Sequence, residues 1–208
     1  MPRTAEGRPA AEPSSPGQRA RRRKILDVAA RLGAAEGIDV QMHQVARLSG
    51  VALGTLYRYF PSKTHLFVGV LAQRTDRMAE ALGRRTPVSA DPVERVVDLL
   101  ARATRSLLRT PRLANAMIQS NNAADPSVVT ESAAIDAEVS AMLLRAAGIG
   151  DPTDRERVLV RLLQHAWYGI LQTNLNGRSS VAAAEADLRL ACRALLGPLA
   201  ERGAGGGA

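Results

Sequence analysis

The sequence predicts an all-α fold of about nine helices, and three observations support this prediction. Ala, Leu, Arg and Glu are abundant, and all four residue types favour helix. Apolar residues recur at helical spacing through most of the chain, and no segment shows the apolar–polar alternation of a half-buried strand. Pro, Gly and Asn clusters separate these periodic segments at intervals that suit individual helices.

Cap and turn residues predict where the helices begin and end. Gly37 closes the first helix, and Gly50 can adopt the positive φ of a tight turn between the second and third helices. Pro61 ends the third helix, and Ser62 is suited to cap the fourth. The predicted helices span residues 18–36, 41–49, 53–59, 62–83, 92–109, 111–121, 127–147, 154–175 and 181–200.

The spacing of apolar residues in the first three helices predicts which side chains face the core. A helix that lies on a core buries residues that are three and four positions apart. The other faces are then left for solvent or for a partner. The predicted inward positions are Ile25, Leu26, Ala29, Leu32 and Ala35 in the first helix, Val45 and Leu48 in the second, and Leu56 and Phe60 in the third.

The distribution of charge separates the chain into two parts. Residues 1–86 contain 15 Lys or Arg and 7 Asp or Glu, whereas residues 87–208 contain 13 of each. The whole formal net charge of +8 therefore lies in the N-terminal two-fifths of the chain. Such a local basic field predicts that the N-terminal part binds a polyanion and that the neutral C-terminal part has a different function. The alternative is a solubilising tail, because residues 1–24 alone hold 7 cations and 2 anions.

Several classes of protein are disfavoured. The single cysteine, Cys192, excludes an intramolecular disulfide and a thiolate metal cluster. The chain has no secretion signal and no apolar run approaching the ~18 residues of a membrane span, which predicts a cytoplasmic protein without a membrane partner. No nucleotide-binding, metal or catalytic motif is present, so no cofactor is expected. His165 has no acidic neighbour one turn away, which favours a buried or pocket-lining histidine over a catalytic one.

Residues 41–59 have the organisation of a helix-turn-helix motif. Ala46 is small where the two helices cross closely, and Gly50 lies four residues later in the turn. Val51 and Leu56 can fill the core beneath the second helix of the motif. That helix is then free to lie in the major groove of DNA.

The segment Val40–Leu66, "VQMHQVARLSGVALGTLYRYFPSKTHL", resembles the DNA-binding region of the TetR family of bacterial regulators. Ala52 departs from the pattern, because many members have a Ser or Thr cap there. The resemblance implies an N-terminal DNA-binding domain joined to a larger helical domain for ligand binding and dimerisation. The predicted divisions are a disordered tail at 1–17, a DNA-binding domain at 18–65, a ligand-binding and dimerisation domain at 66–202, and a flexible tail at 203–208.

The resemblance also implies roles for individual residues. Tyr57 matches a position that donates its hydroxyl to a backbone phosphate, and Lys63 matches a phosphate contact at the start of a helix. Leu53, Gly54 and Tyr59 match positions that read bases, so Leu53 can touch a thymine methyl group. The full set of predicted DNA contacts is Gln41, His43, Gln44, Leu53, Gly54, Thr55, Tyr57, Arg58, Tyr59 and Lys63.

Some of these residues also fit a reading without DNA. His43 fits a solvated histidine as well as a contact, and the face occupied by Arg58 is undecided by the sequence. The basic run Arg19–Lys24 fits either a solvated stretch or a contact to phosphates or the minor groove. Phe60 is predicted to be a core aromatic.

The C-terminal part is predicted to dimerise and to bind a ligand. Segments 154–175 and 181–200 have broad apolar faces, which two copies can bury as a four-helix bundle or one chain can bury internally. Residues with bulk and few polar groups predict an apolar pocket, although the same residues also suit ordinary core packing. The candidate pocket residues are Met117, Asn121, Met142, Trp167 and Leu171.

A narrower resemblance concerns the ligand. The segments "NAMIQSNNAADPS" and "AWYGILQTNLNGRSS" are similar to KstR-like regulators of steroid catabolism. That likeness implies a large apolar effector, either steroid-like or acyl-CoA-like. The sequence therefore predicts a ligand-responsive repressor that binds a palindromic operator as a homodimer. The alternatives are an architectural DNA-binding protein without an effector, and a small-molecule enzyme with a basic tail.

Overall fold

A computed structural model describes residues 10–84 and 89–204, with side chains as far as residue 197. Within these ranges the chain forms nine α-helices and one short 3-10 turn, Gly37–Asp39, and contains no strand. This confirms the predicted all-α fold. None of the described helices combines the length and the apolar character needed to cross a membrane. The helices are α1 Pro16–Glu36, α2 Met42–Ser49, α3 Leu53–Tyr59, α4 Lys63–Gly83, α5 Pro92–Leu108, α6 Pro111–Ala123, α7 Thr130–Ala147, α8 Asp154–Leu175 and α9 Val181–Ala204.

The predicted helix boundaries agree with the structure except at a few ends. Helix α1 begins at Pro16 rather than at residue 18, because the Ser15 side chain accepts a hydrogen bond from the backbone N–H of Gln18 at 3.2 Å. Helix α6 continues to Ala123, so the turn predicted at residues 121–127 lies at 124–129. Helix α9 continues to Ala204, beyond its predicted end at residue 200. The predictions for residues 1–9, 85–88 and 205–208 fall outside the described part of the chain.

The chain divides into two compact units. The first comprises the residues up to Arg77 together with Thr110–Asp136, and the second comprises Met78–Arg109 together with the residues from Ala137 onward. Helix α6 belongs to the first unit because it packs against α1. These compact units do not coincide with the two functional domains predicted from the sequence, whose boundary lies between residues 65 and 66. That functional boundary stays a prediction.

The first unit is held together where α1 passes close to α4 and α6. Gly33 of α1 is buried, and a Cβ atom at this position would lie 2.7 Å from Leu113 Cδ1 and 2.9 Å from Phe67 Cε1. Leu113 and Phe67 are themselves fully buried. A larger residue at position 33 would therefore require the Leu113 or Phe67 side chain to shift.

Two of the predicted inward positions are wrong. Leu48 is 48% exposed, because α2 buries Met42, Val45 and Ser49 and leaves Leu48 at the side of this face. The Ser49 hydroxyl compensates for its own burial by donating to the carbonyl of Val45 at 2.6 Å. Ala35 is also exposed. The other inward positions in these three helices are buried or half-buried.

The second unit is built from α5, the part of α7 from Ala137 onward, α8 and α9, with α9 packed against both α5 and α8. Glu94 of α5 forms ion pairs with Arg189 and Arg193 of α9. Hydrogen bonds from these two arginines, Arg189 first, hold the pKa of Glu94 below its ordinary value. Cys192 is fully buried nearby, and burial raises the pKa of its thiol to about 12, so the thiol stays protonated and unreactive at neutral pH.

The close contact at Gly33 predicts a stability effect. Gly33→Ala adds a methyl group against Leu113 and Phe67, and overpacking of this kind costs about 1–3 kcal/mol. We expect this cost to exceed the gain of about 1 kcal/mol that alanine brings to a helix interior. Thermal or urea unfolding measures the difference. Gly17→Ala in the same helix is the control, because no atom lies within 4 Å of its new Cβ. A Gly33→Ala variant as stable as the wild type would contradict the proposed tight crossing.

Candidate nucleic-acid interface

Helices α2 and α3 are joined by the tight turn of a helix-turn-helix motif. Gly50 has φ 69° and ψ 35°, as the sequence predicted. The N–H of Gly50 donates to the carbonyl of Arg47 at 3.2 Å, and the N–H of Val51 donates to that of Ala46 at 3.0 Å. These bonds satisfy carbonyls at the end of α2 while the chain reverses toward α3.

Gln41 and Gln44 organise the start of α2. The N–H of Gln41 donates to Gln44 Oε1 at 3.3 Å, and Gln41 Nε2 donates to the carbonyl of Asp39 at 2.7 Å. Both side chains thus have partners within the chain. Gln41 and His43 are nevertheless exposed, and Gln44 is half-buried, so the first turn of α2 is open to a partner.

Helix α3 presents one face to the core and the other to solvent. Leu56 and Phe60 are 0% and 1% exposed, whereas Leu53 and Tyr57 are each 43% exposed. A Cβ atom at Gly54 would meet nothing within 4 Å. As predicted, Ala52 gives α3 no side-chain cap. The outward face of this helix consists of Leu53, Gly54, Tyr57 and Arg58, with Thr55 half-buried at its side.

Tyr59 is placed differently from the prediction. Its side chain is only 2% exposed, because it lies on the same helix face as Leu56. In this position Tyr59 cannot read bases, and its buried hydroxyl has no hydrogen-bond partner among the described residues. The structure also places Arg58, whose guanidinium carbon lies 5.3 Å from the centre of the Tyr59 ring while the residue stays exposed.

Lys63 begins α4 at the edge of the motif. Its Nζ donates to the carbonyl of Ile38 at 3.1 Å, so the ammonium group lies beside the 3-10 turn that precedes α2. Ser62 caps α4 as predicted, because its Oγ accepts from the N–H of His65 at 3.3 Å. Sequence reasoning missed the role of Ile38, since a contact between residues 25 positions apart leaves no local signal.

The basic run Arg19–Lys24 has two different environments. Arg21, Arg23 and Lys24 are exposed and form no ion pair with any residue in the described ranges. Lys24 Nζ lies 3.6 Å from the position of a Cβ atom at Gly50, so this ammonium group reaches the turn of the motif. Arg22 instead pairs with Glu131 at 3.0 Å. The exposed members therefore remain available to phosphates, and Arg22 does not.

The segment before α1 lies against the end of α3. The N–H of Ala11 donates to the carbonyl of Arg58 at 3.0 Å. The last carbonyls of a helix have no partner within the helix, so this bond satisfies one of them. Ala11 is thereby attached to the C-terminal end of α3.

The candidate pocket residues are distributed over the two units. Met117 is buried in the first unit, where Asn121 Oδ1 accepts from the Ser132 hydroxyl at 2.9 Å. Met142 and Leu171 are buried in the second unit, where Trp167 Nε1 donates to Thr104 Oγ1 at 2.8 Å. The single ligand pocket that these residues were predicted to line stays a prediction.

His165 does not lie where the sequence predicted. It is exposed, because α8 buries the face that carries Val160, Leu163, Trp167 and Leu171. The lack of an acidic residue one turn away, on which the prediction was based, does not indicate which face of α8 packs inward. Within the described residues there is also no cluster of three or more His, Cys, Asp or Glu that could hold a metal ion.

These features define a helix-turn-helix DNA-binding protein. A short α3 is anchored by one face, and two cations, Arg58 on its outward face and Lys24 beside the preceding turn, form no ion pair in the described ranges. Comparison with known families agrees. Residues 25–70 match the bacterial regulatory proteins of the tetR family, and residues 90–195 match the tetracyclin repressor-like C-terminal domain. The chain belongs to the TetR family of bacterial transcriptional regulators.

Its relatives include proteins named as transcriptional repressors. The chain is 34% identical over 187 residues to the HTH-type transcriptional repressor KstR of Mycobacterium tuberculosis, covering 89% of this chain and 85% of that protein. It is 36% identical over 185 residues to KstR of Rhodococcus jostii, covering 88% and 86%. A crystal structure of a TetR transcriptional regulator from Rhodococcus sp. RHA1 superimposes with a TM-score of 0.82 at 45% identity, covering 86% of this chain and 97% of that one.

The two tyrosines of α3 provide a matched test of the interface. Tyr57→Phe removes an exposed hydroxyl and should weaken binding to all DNA duplexes by about 0.5–1.5 kcal/mol, the net contribution of one hydrogen bond. Tyr59→Phe removes the same atom from a buried position and should leave DNA affinity unchanged. Fluorescence anisotropy measures both affinities. Equal losses of affinity in the two variants would contradict the assignment of the outward face.

Proposed function

We propose that the protein is a ligand-responsive repressor that binds a near-palindromic operator as a homodimer and leaves it when a large apolar effector binds. The observation that carries the DNA-binding part is the outward face of α3, where Arg58 and the nearby Lys24 have no acidic partner among the residues that the structure describes. Tyr57 and Lys63 contact phosphates, while Leu53 and Gly54 approach the base edges. We place this activity in the cytoplasm, and we infer that the protein is not an enzyme, since the named relatives are repressors.

Gln41, His43, Gln44, Thr55 and Arg58 extend this proposed interface. The exposed first turn of α2 faces the DNA backbone, where helix N-termini attract phosphates. Arg58 contacts a phosphate or a base edge from its position over the Tyr59 ring. Tyr59 itself is left out of the interface because its side chain is buried.

Exposed apolar residues on α8 and α9 support a homodimer. Leu190 of α9 is 69% exposed, and Val158 and Leu162 of α8 are 40% and 45% exposed. Val158 and Leu162 are four residues apart and therefore lie on one side of α8. Two copies that join these helices as a four-helix bundle would remove this surface from water. Dimerisation also matches the need to place two α3 helices in successive major grooves, about one helical turn of DNA apart.

The effector is inferred to be a large, mainly apolar molecule. Met142, Trp167 and Leu171 of the second unit are buried and contribute mostly apolar surface. The likeness of the sequence to KstR-like regulators supports a steroid or an acyl-CoA-like ligand. A ligand that binds better to the conformation with low DNA affinity shifts the population toward it and releases the operator.

Binding to DNA from upstream of the protein's own gene tests this function. We expect affinity for one near-palindromic segment to exceed that for a random duplex by about 10³-fold or more. Lys63→Ala should weaken binding to every duplex, whereas Leu53→Ala should change the preference among sequences. A steroid acyl-CoA thioester should reduce operator binding, with free CoA as the control. Equal affinity for all duplexes would instead indicate an architectural DNA-binding protein.

The proposed dimer face can be tested separately. Leu190→Glu places a charge where the second copy should bury an apolar side chain. Leu190 is 69% exposed in the single chain, so the variant chain should still fold. We expect sedimentation velocity to show a monomer and operator affinity to fall at least tenfold as the two half-sites become uncoupled. Ile38→Glu, which alters a 40% exposed residue in the first unit, is the control and should stay dimeric. A dimeric Leu190→Glu variant would place the interface elsewhere.

A further inference from the structure

We propose that Arg22 is a positioning residue for DNA recognition, which links the start of α7 to the end of α3 through Glu131 and Phe60. The inference rests on the proposed DNA-binding function and adds a residue set outside the motif. Its consequence is that full operator affinity requires the carboxylate of Glu131, an acidic group in a protein that binds a polyanion.

The contacts of Arg22 carry the argument. Its Nη2 atom lies 3.0 Å from Glu131 Oε1, and the two side chains are only 23% and 26% exposed. Its guanidinium carbon lies 5.2 Å from the centre of the Phe60 ring. A Cβ atom at Gly69 of α4 would lie 3.0 Å from Phe60 Cε1 and 3.5 Å from Arg22 Nη2, so α4 closes the remaining side. The guanidinium of Arg22, which α1 carries, is therefore enclosed by residues of three other elements: the end of α3, α4 and the start of α7.

Phe60 connects this cluster to the DNA-binding surface. Phe60 is the C-cap residue that directly follows α3, and its N–H donates to the carbonyl of Leu56 at 2.8 Å. Its ring is 1% exposed and lies under the Arg22 guanidinium. A seven-residue helix is not stable by itself, so the position of α3 depends on such anchoring contacts. Arg22 acts on DNA through Phe60 rather than by touching phosphate.

Glu131 connects the cluster to the rest of the chain. It lies in the first turn of α7, where a negative charge is favoured by the helix dipole. The adjacent Ser132 donates to Asn121 Oδ1 at 2.9 Å, which ties the start of α7 to α6. Helix α7 continues from the first unit into residues of the second, among them Met142. A displacement of α7 that separates Glu131 from Arg22 would loosen the support of Phe60 and lower DNA affinity.

The decisive experiment asks whether removing the negative charge of Glu131 raises or lowers the affinity for operator DNA. Removing an acidic charge from a DNA-binding unit strengthens binding to a polyanion if only overall electrostatics matters. We instead expect Glu131→Gln to weaken operator binding about fivefold, within the range found for coupling residues. Asp27→Asn is the matched control, because Asp27 also pairs with an arginine of the first unit, Arg77, at 2.9 Å. This variant should bind the operator as tightly as the wild type or more tightly.

The salt dependence of affinity distinguishes positioning from phosphate contact. Loss of one phosphate contact lowers the magnitude of the slope of log K against log salt concentration by about 0.9. We expect Arg22→Gln to weaken binding and to leave this slope unchanged. In the Arg22→Gln background, Glu131→Gln should have no further effect, because its partner is already absent. Thermal unfolding of each variant checks that the fold is retained. If Glu131→Gln is not folded, Glu131→Asp is measured in its place.

Three results would overturn the inference. They are tighter operator binding by Glu131→Gln, matching that of Asp27→Asn; a slope reduced by about 0.9 in Arg22→Gln; and additive losses in the double variant. Failure of the wild-type protein to prefer any operator would be a different result, since it would refute the proposed function itself. Measurements on the wild type come first and separate the two cases.

Discussion

The burial of one face of α3 is the constraint on which the DNA-binding surface depends. This helix has seven residues and no side-chain N-cap, so its own hydrogen bonds cannot keep it folded. Leu56, Tyr59 and Phe60 anchor it to the first unit with almost no exposure. Leu53 and Tyr57 lie outside this anchored set and are each 43% exposed. The proposed interface is thus the face that remains once the helix has been anchored.

The two units use their arginines differently. In the second unit, Arg105, Arg189 and Arg193 pair with glutamates, and these pairs join α5 to α9. Such exposed pairs each contribute little to stability, but they occupy these three arginines with acidic partners inside the chain. Around the helix-turn-helix motif, Arg21, Arg23 and Lys24 have no acidic partner among the described residues. The phosphates of a DNA backbone would therefore supply the negative charge that neutralises these three cations.

Arg22 shows why neighbouring residues in a basic run need not share a role. In the sequence it is one of three consecutive arginines, and nothing local distinguishes it from Arg21 or Arg23. The direction of its side chain is set by α1, which is buried along the face that carries Ile25 and Leu26. That direction brings the guanidinium to Glu131, 109 residues later in the chain. The sequence alone contains no sign of this contact.

Local patterns by themselves determined the helices, the turn at Gly50, the anchoring of Leu56 and Phe60, and the family. These features depend on spacing and on backbone preferences within a few residues, which any sequence displays directly. The exposure of Leu48 and His165 and the burial of Tyr59 depend instead on how the helices pack together. Each lies at the edge of an apolar stripe, where helical spacing allows either environment. Their placement is decided by which neighbouring helix covers that edge, and this depends on residues far away in the sequence.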